Sequence, residues 1–338
     1  MEVILYILFL MGIMITSGIV KDQGYMLPLF HSVLRATKSN RLAIVLFSAV
    51  SGILPIPGRV AVSAGVLDTV ITKEPKARAK FGIIDYFATH HYYLWSPLEK
   101  TIIIPMAALG LTYMQVIAYT FPLLLVTLAY TGWVIWRSVS NTDFVQPQET
   151  VHKSVDGMKL LPIPCAIAAL VAGAQGWIVF SITSIIYMIL TKTTNVLQYL
   201  KPKLLLFVAG IILLSQLIAG AYVVPAWITT STGLALASLI GFGLSFALGS
   251  SGKFAGITVI LAQVFGVALL PWFFAIEYSA YLLSPVHKCV AIGKSYFNTP
   301  LASYYPKILV LAGLLIITGA VCVFIPEILP KIGMLYHG

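Results

Sequence analysis

The chain has 338 residues, of which 59% are hydrophobic and only 9% charged, with a mean hydropathy of +0.96. So much apolar sequence excludes a soluble globular protein. The net charge of +10 does not point to nucleic acid, because the basic residues fall mostly between apolar segments, as in the cytoplasmic loops of membrane proteins.

In chain order, residues 1–20 read as a first span rather than a cleaved signal peptide, since Glu2 is the only early charge and no small-residue cleavage site follows. Residues 42–71 do not fit one crossing. They exceed the ~20 residues that cross a bilayer, and each half alone falls short of that length. Arg35, Lys38 and Arg41 precede this segment, and Lys73, Lys76, Arg78 and Lys80 follow it. Cations on both flanks predict a re-entrant hairpin that enters and leaves on the cytoplasmic side. The sequence Pro55-Ile56-Pro57-Gly58 would form its tip, against protein or a polar cavity. Spans at 86–111 and 113–136 come next, then a polar linker. Residues 160–190 fit either one long tilted helix or a helical hairpin, given Pro162, Pro164, Gly173 and Gly176. A span at 204–224 precedes a second broken apolar segment, 229–274, interrupted by Gly249-Ser250-Ser251-Gly252-Lys253. Its uncharged flanks suit the external side. Segments at 276–298 and 308–324 complete the chain.

Two short patterns recur in the same order. Gly58-Arg59-Val60-Ala61 matches Gly252-Lys253-Phe254-Ala255, an offset of 194 (252 − 58). Tyr93-Leu94-Trp95-Ser96-Pro97-Leu98-Glu99-Lys100 matches Tyr281-Leu282-Leu283-Ser284-Pro285-Val286-His287-Lys288, an offset of 188 (281 − 93). The expected fold is therefore an all-α polytopic membrane protein of two inverted-topology repeats, each with a re-entrant helical hairpin. Residues 1–136 form the first repeat and 204–338 the second, with 137–203 as linker and helical hairpin. Paired broken segments in inverted halves point to a transporter site near the membrane midplane.

Arg59 and Lys253 each stand after a glycine-containing break and before a helical run, at the positive end of a half-helix. Backbone N–H groups, two cations and the Ser250 and Ser251 hydroxyls would then converge on one anion. Gly58, Arg59, Ser63, Ser250, Ser251, Gly252 and Lys253 are the candidate binding residues. Asp68, Glu99, Glu277 and His287 are candidate coupling groups, with Glu99 and His287 at equivalent positions of the repeat. A symmetric set of structural salt bridges is the alternative. Coupling by Na⁺ would draw on Ser63, Ser250, Ser251 or Thr258; coupling by H⁺ would draw on the carboxylates or His287. His90 and His91, beside Tyr92, Tyr93 and Trp95, read as an interfacial aromatic belt. Cys165, Cys289 and Cys322 have no ligand spacing and read as packing residues, so neither a disulfide framework nor a metal site is expected.

The stretches Leu54–Asp68 and Tyr281–Phe297 resemble the two motifs of a family of prokaryotic integral-membrane proteins grouped in the ion-transporter superfamily, with gluconate, dicarboxylate and arsenite carriers. The resemblance covers residues 43–118 and 235–297. It implies inverted repeats with two re-entrant hairpins, and substrate- or ion-contacting backbone at Gly58, Gly252 and the Ser250-Ser251 pair. Arg59 departs from that pattern, where a second small residue is expected, and shifts the expectation toward a strongly anionic ligand.

The expected function is secondary transport of a small carboxylate, phosphate or other oxyanion by alternating access, without enzymatic activity. The alternatives are a lipid-phosphate (polyprenyl-phosphate) flippase, a membrane-embedded lipid head-group enzyme and a channel or accessory subunit. A prokaryotic inner-membrane location and a homodimer follow from the resemblance.

Overall fold

The computed structural model describes residues 2–25, 37, 39–53, 59–144, 159, 161–220 and 230–324. These residues form helices and no β-strand, with one isolated antiparallel bridge between Ile71 and Phe144.

The first half comprises α1 (Glu2–Asp22), α2 (Asn40–Ile53), α3 (Arg59–Val70), α4 (Pro75–His90), α5 (Lys100–Leu109) and α6 (Tyr113–Ser138). Next come α7 (Pro162–Val171) and α8 (Gly176–Thr191). The second half comprises α9 (Pro202–Gly220), α10 (Ser231–Leu248), α11 (Ser251–Phe265), α12 (Leu270–Leu283), α13 (Lys288–Phe297) and α14 (Leu301–Phe324).

Local chemistry sets the boundaries. Pro75 opens α4, where its missing N–H costs nothing, and the Glu74 carboxylate accepts from the Lys76 and Ala77 amides. A capping box between Thr112 and Gln115 opens α6. The expected single span 86–111 is instead two helices. α4 tightens into a 3₁₀ turn at His91–Leu94, and Ser96-Pro97 ends it before α5 begins, because proline cannot donate the next helical hydrogen bond. The second half breaks the same way at Ser284-Pro285, between α12 and α13. The expected segment 160–190 holds two helices, Pro162–Val171 and Gly176–Thr191, with Gly173 in the left-handed conformation (φ 89°) between them.

Several bounds recur at one offset. α5 and α13 are each ten residues long and begin 188 apart (288 − 100). α6 and α14 also begin 188 apart (301 − 113). α5 stops at left-handed Gly110 and α13 at left-handed Asn298, again 188 apart (298 − 110). Packing between the halves is crosswise: α3 lies on α13, and α11 lies on α5.

The ends of the two broken segments lie at opposite ends of α6. Arg41 Nε, at the start of α2, donates to the Val139 carbonyl at 2.7 Å. Just past α3, the Thr72 amide donates to the Asp143 carbonyl at 2.8 Å. Both partners follow the last residue of α6. The α10–α11 segment instead closes at the start of α6, where Leu234, Phe265 and Leu270 cluster with Leu109, Leu111 and Tyr119. The 26 residues of α6 span about 39 Å between these two places.

Among the described residues, five helical segments are long and apolar enough to cross a membrane: Val3–Asp22, Tyr113–Ser138, Ser231–Leu248, Val267–Phe297 and Leu301–Phe324. α6, α8, α10 and α14 leave large apolar side chains uncovered, among them Leu125, Ile185, Leu239 and Ile317. Such faces fit acyl chains and not water. α12 is buried nearly throughout and forms the centre of the second half.

Candidate functional site

Around the second tip, α10 ends at Gly249 in the left-handed conformation (φ 50°), Ser250 takes the N-cap position, and α11 starts at Ser251. No Ser250 side-chain hydrogen bond caps α11. The tip touches the serine-proline turns of both halves. Ser251 Oγ donates to Glu99 Oε1 at 3.3 Å. A Cβ on Gly252 would lie 3.3 Å from Lys100 Cδ, and one on Gly249 would lie 2.7 Å from Ser284 Oγ. Glycine at these two positions is therefore what lets the tip reach the turns. The Ser284 hydroxyl is buried and has no hydrogen-bond partner among the described residues.

Glu99 is 6% exposed and takes the N-cap position of α5, with half-buried Lys100 next to it. Further along the same side stands Lys201, before α9. Burial, and then the ammonium groups of Lys100 and Lys21, hold Lys201 below the ordinary lysine range. Three cations thus lead from the second tip to the end of α1.

The other candidate residues are distributed as follows. Lys253 is exposed, so the cation beside this tip is Lys100. Gly58 and the Arg59 side chain lie outside the described residues. Ser63, buried on α3, donates to Asp85 Oδ1 at 2.6 Å. Asp68 pairs with Arg78, which also donates to the Tyr296 carbonyl at 2.7 Å. Glu277 is fully buried on α12 and accepts from Ser245, one turn before Gly249. Its Oε1 and the Thr258 hydroxyl have no hydrogen-bond partner among the described residues.

His287 meets His90 and not a hairpin tip: their Nε2 atoms are 3.1 Å apart. His90 and His91 are buried at the protein's centre, not in an interfacial belt. Around them the Tyr278 hydroxyl donates to the His90 carbonyl (2.8 Å) and the Tyr281 hydroxyl to the Tyr93 hydroxyl (2.8 Å). Cys289 closes the group, with one ligand-type atom from each of His90, His287 and Cys289 lying within 4.8 Å of one another.

Sequence reasoning missed Asp85. The signal was present in Gly82-Ile83-Ile84-Asp85-Tyr86-Phe87, a lone acid in an apolar helix. It also missed the meeting of His90 with Cys289, because 199 positions (289 − 90) separate them in the chain.

The model of one protein family, described as a protein of unknown function (DUF401), matches residues 2–325. The chain belongs to the DUF401 family. No curated protein matches this DUF401 member. Membership therefore brings the DUF401 protein no substrate, and its function has to be argued from its own residues.

Proposed function

We propose that this protein is a secondary transporter of a small anion, built from two inverted repeats whose re-entrant hairpins meet near the membrane midplane. The observation that carries the reading is the second tip, where the start of α11 adjoins Lys100, Glu99 and the Ser284 hydroxyl. The common 188-residue offset of helix starts and stops, and the closing of the two broken segments at opposite ends of α6, support the inversion. The resemblance to the ion-transporter superfamily supports the same architecture.

A helix N-terminus offers oriented amides and a positive dipole end to an anion. Here the Glu99 carboxylate already stands within hydrogen-bond reach of the first helical residue. An incoming oxyanion and ionised Glu99 would compete for that end of α11, with Lys100 attracting both. Glu99 is thus the coupling group in this reading: it gives up its place when it takes a proton or swings away, and the substrate then occupies it.

The test is thermal stabilisation of the purified protein by a panel of carboxylates, phosphate and prenyl phosphates, followed by uptake into proteoliposomes. A ligand selective for the native state stabilises by RT ln(1 + [L]/Kd), about 2.7 kcal/mol at a hundredfold excess over Kd. One small anion should stabilise the wild type, fail to stabilise Lys100→Ala, and accumulate in vesicles. Stabilisation by prenyl phosphates alone would replace this reading with lipid-phosphate flipping. No response to any anion would remove the anion site.

A further inference from the structure

We propose that His90, His287 and Cys289 form a binding site for a monovalent copper ion at the junction of the two halves. The site is independent of the anion reading: it lies at the end of α4 and the start of α13, and its argument rests on proton placement around two imidazoles.

His90 Nδ1 lies against the Tyr86 carbonyl oxygen, an acceptor only, so this nitrogen carries the proton and Nε2 carries a lone pair. The Tyr86 hydroxyl donates its single proton to the Leu282 carbonyl at 2.9 Å. Its oxygen can then accept from His287 Nδ1, 3.3 Å away, and in that tautomer the His287 Nε2 also carries a lone pair; with the ring proton on Nε2 instead, the two imidazoles would share an ordinary hydrogen bond. The two Nε2 atoms face each other at 3.1 Å in a dry interior, His90 being 1% and His287 2% exposed. In the tautomer with both Nε2 lone pairs facing, the two repel unless a cation lies between them. The arrangement also has the form of a built metal site: each ligand nitrogen faces the ion, while the opposite N–H is fixed by an oxygen acceptor.

Cys289 selects the ion. With metal–nitrogen distances of about 2.0–2.1 Å and metal–sulfur of about 2.3 Å, ligand atoms around one ion sit some 3–4 Å apart. The 3.1 Å nitrogen pair fits that scale, and the Cys289 sulfur, within 4.8 Å of one ring nitrogen of each histidine, would have to move inward to complete it. A thiolate with two imidazoles suits soft or borderline ions. Charge balance decides among them. Cu⁺ displaces the thiol proton, which leaves to solvent, and Cu⁺ with one thiolate is neutral. Zn²⁺ would leave a net positive charge in a core lined by Tyr86, Tyr278 and Tyr281, where burying charge is costly.

Purified full-length protein, stripped with a chelator, would be reloaded anaerobically with Cu⁺ under a reductant, in competition with a chromophoric Cu⁺ chelator. The expected result is one copper per chain, kept by Cys165→Ala/Cys322→Ala and lost in Cys289→Ala and His287→Ala. If those last two variants fail to fold, the X-ray absorption spectrum of the wild type decides, with mixed nitrogen and sulfur coordination expected. No copper above the detergent blank would overturn the proposal; a proton shared by the two imidazoles then fills the gap. Copper that persists in folded Cys289→Ala, zinc bound in place of copper, or a spectrum without nitrogen or without sulfur would each overturn it as well.

Discussion

Two helix crossings that a perfect duplication would make equal are unequal here. α4 and α13 meet backbone to backbone: a Cβ on Gly293 would lie 3.4 Å from the Gly82 Cα, and would collide with the Tyr304 hydroxyl. The equivalent pair, 188 positions away on each side, is α12 with α5, and the matching residues are Leu270 and Pro105 (82 + 188 and 293 − 188). Side chains of that size keep the two backbones apart, and Leu270 meets α5 through the apolar cluster that holds Leu109. The same asymmetry runs through the charged groups. Glu99 faces the second tip, whereas its counterpart His287 turns to the histidine and tyrosine cluster. Each half also buries one carboxylate under a hairpin serine, Ser63 with Asp85 and Ser245 with Glu277, but the two acids differ in register by one turn. The halves share an architecture and differ in what they hold. In the proposed transporter, unequal halves would give one tightly and one loosely packed side.

The largest expected effect breaks the tight crossing. Gly82→Leu places a side chain where Thr299 and Tyr304 already stand, and should destabilise by at least about 3 kcal/mol, the upper range for overpacking. Leu270→Ile at the equivalent position should cost less than about 1.5 kcal/mol, as a volume-conserving swap. Thermal unfolding in detergent compares the two, and equal losses would mean that the close crossing is not a feature of the folded protein. Next in size is the choice of cation at the tip. Lys100→Ala should weaken anion binding about tenfold to a hundredfold, in keeping with 1.5–3 kcal/mol for a charge-assisted bond, while exposed Lys253→Ala should leave it within about twofold. The reverse order in a binding titration would put the site elsewhere. Glu99→Gln, which removes the competing carboxylate and keeps the shape, should raise anion affinity by about tenfold, or 1.4 kcal/mol. It should also abolish any proton coupling of uptake. A loss of affinity would make Glu99 a direct ligand and not a competitor.

The recurring patterns were legible because their markers are backbone events. Proline at 97 and 285 and left-handed glycine at 249 stop helices, so they leave a pattern even where side chains differ. The expected hairpin 42–71 rested on lysine and arginine flanks; Arg41 and Ile71 do meet the same short segment after α6, while the tip lies outside the described residues. Which cation stands at the second tip was not legible. Lys253 follows the break in sequence, but a helical residue there points outward, and Lys100 arrives from another helix. Long-range pairing also hid the histidine and cysteine cluster, since spacing rules find ligands on one element and this group is assembled from α4 and α13. The break of residues 86–111 was readable from Ser96-Pro97, and it escaped because an apolar run of span length conceals a turn that is satisfied inside protein.

The smallest effect concerns the entry to the site, and its sign can be worked out. Lys201 is held below the ordinary lysine value by burial and by Lys100 and Lys21, so its charged form is less favourable in the folded protein than in the unfolded chain. That penalty is fully present below the folded value and disappears as pH rises past the unfolded one. At neutral pH, Lys201→Gln should therefore raise the unfolding temperature slightly, with the gain shrinking at high pH and at high salt, because the group is largely exposed and screened. The same substitution should lower the stabilisation given by the anion, since part of what the anion relieves is the repulsion among these three ammonium groups. A variant that gains apo stability and loses anion response ties the cation path to the tip. Gain without loss would make the three lysines an ordinary membrane-boundary cluster, leaving Lys100 as the sole cation of the site.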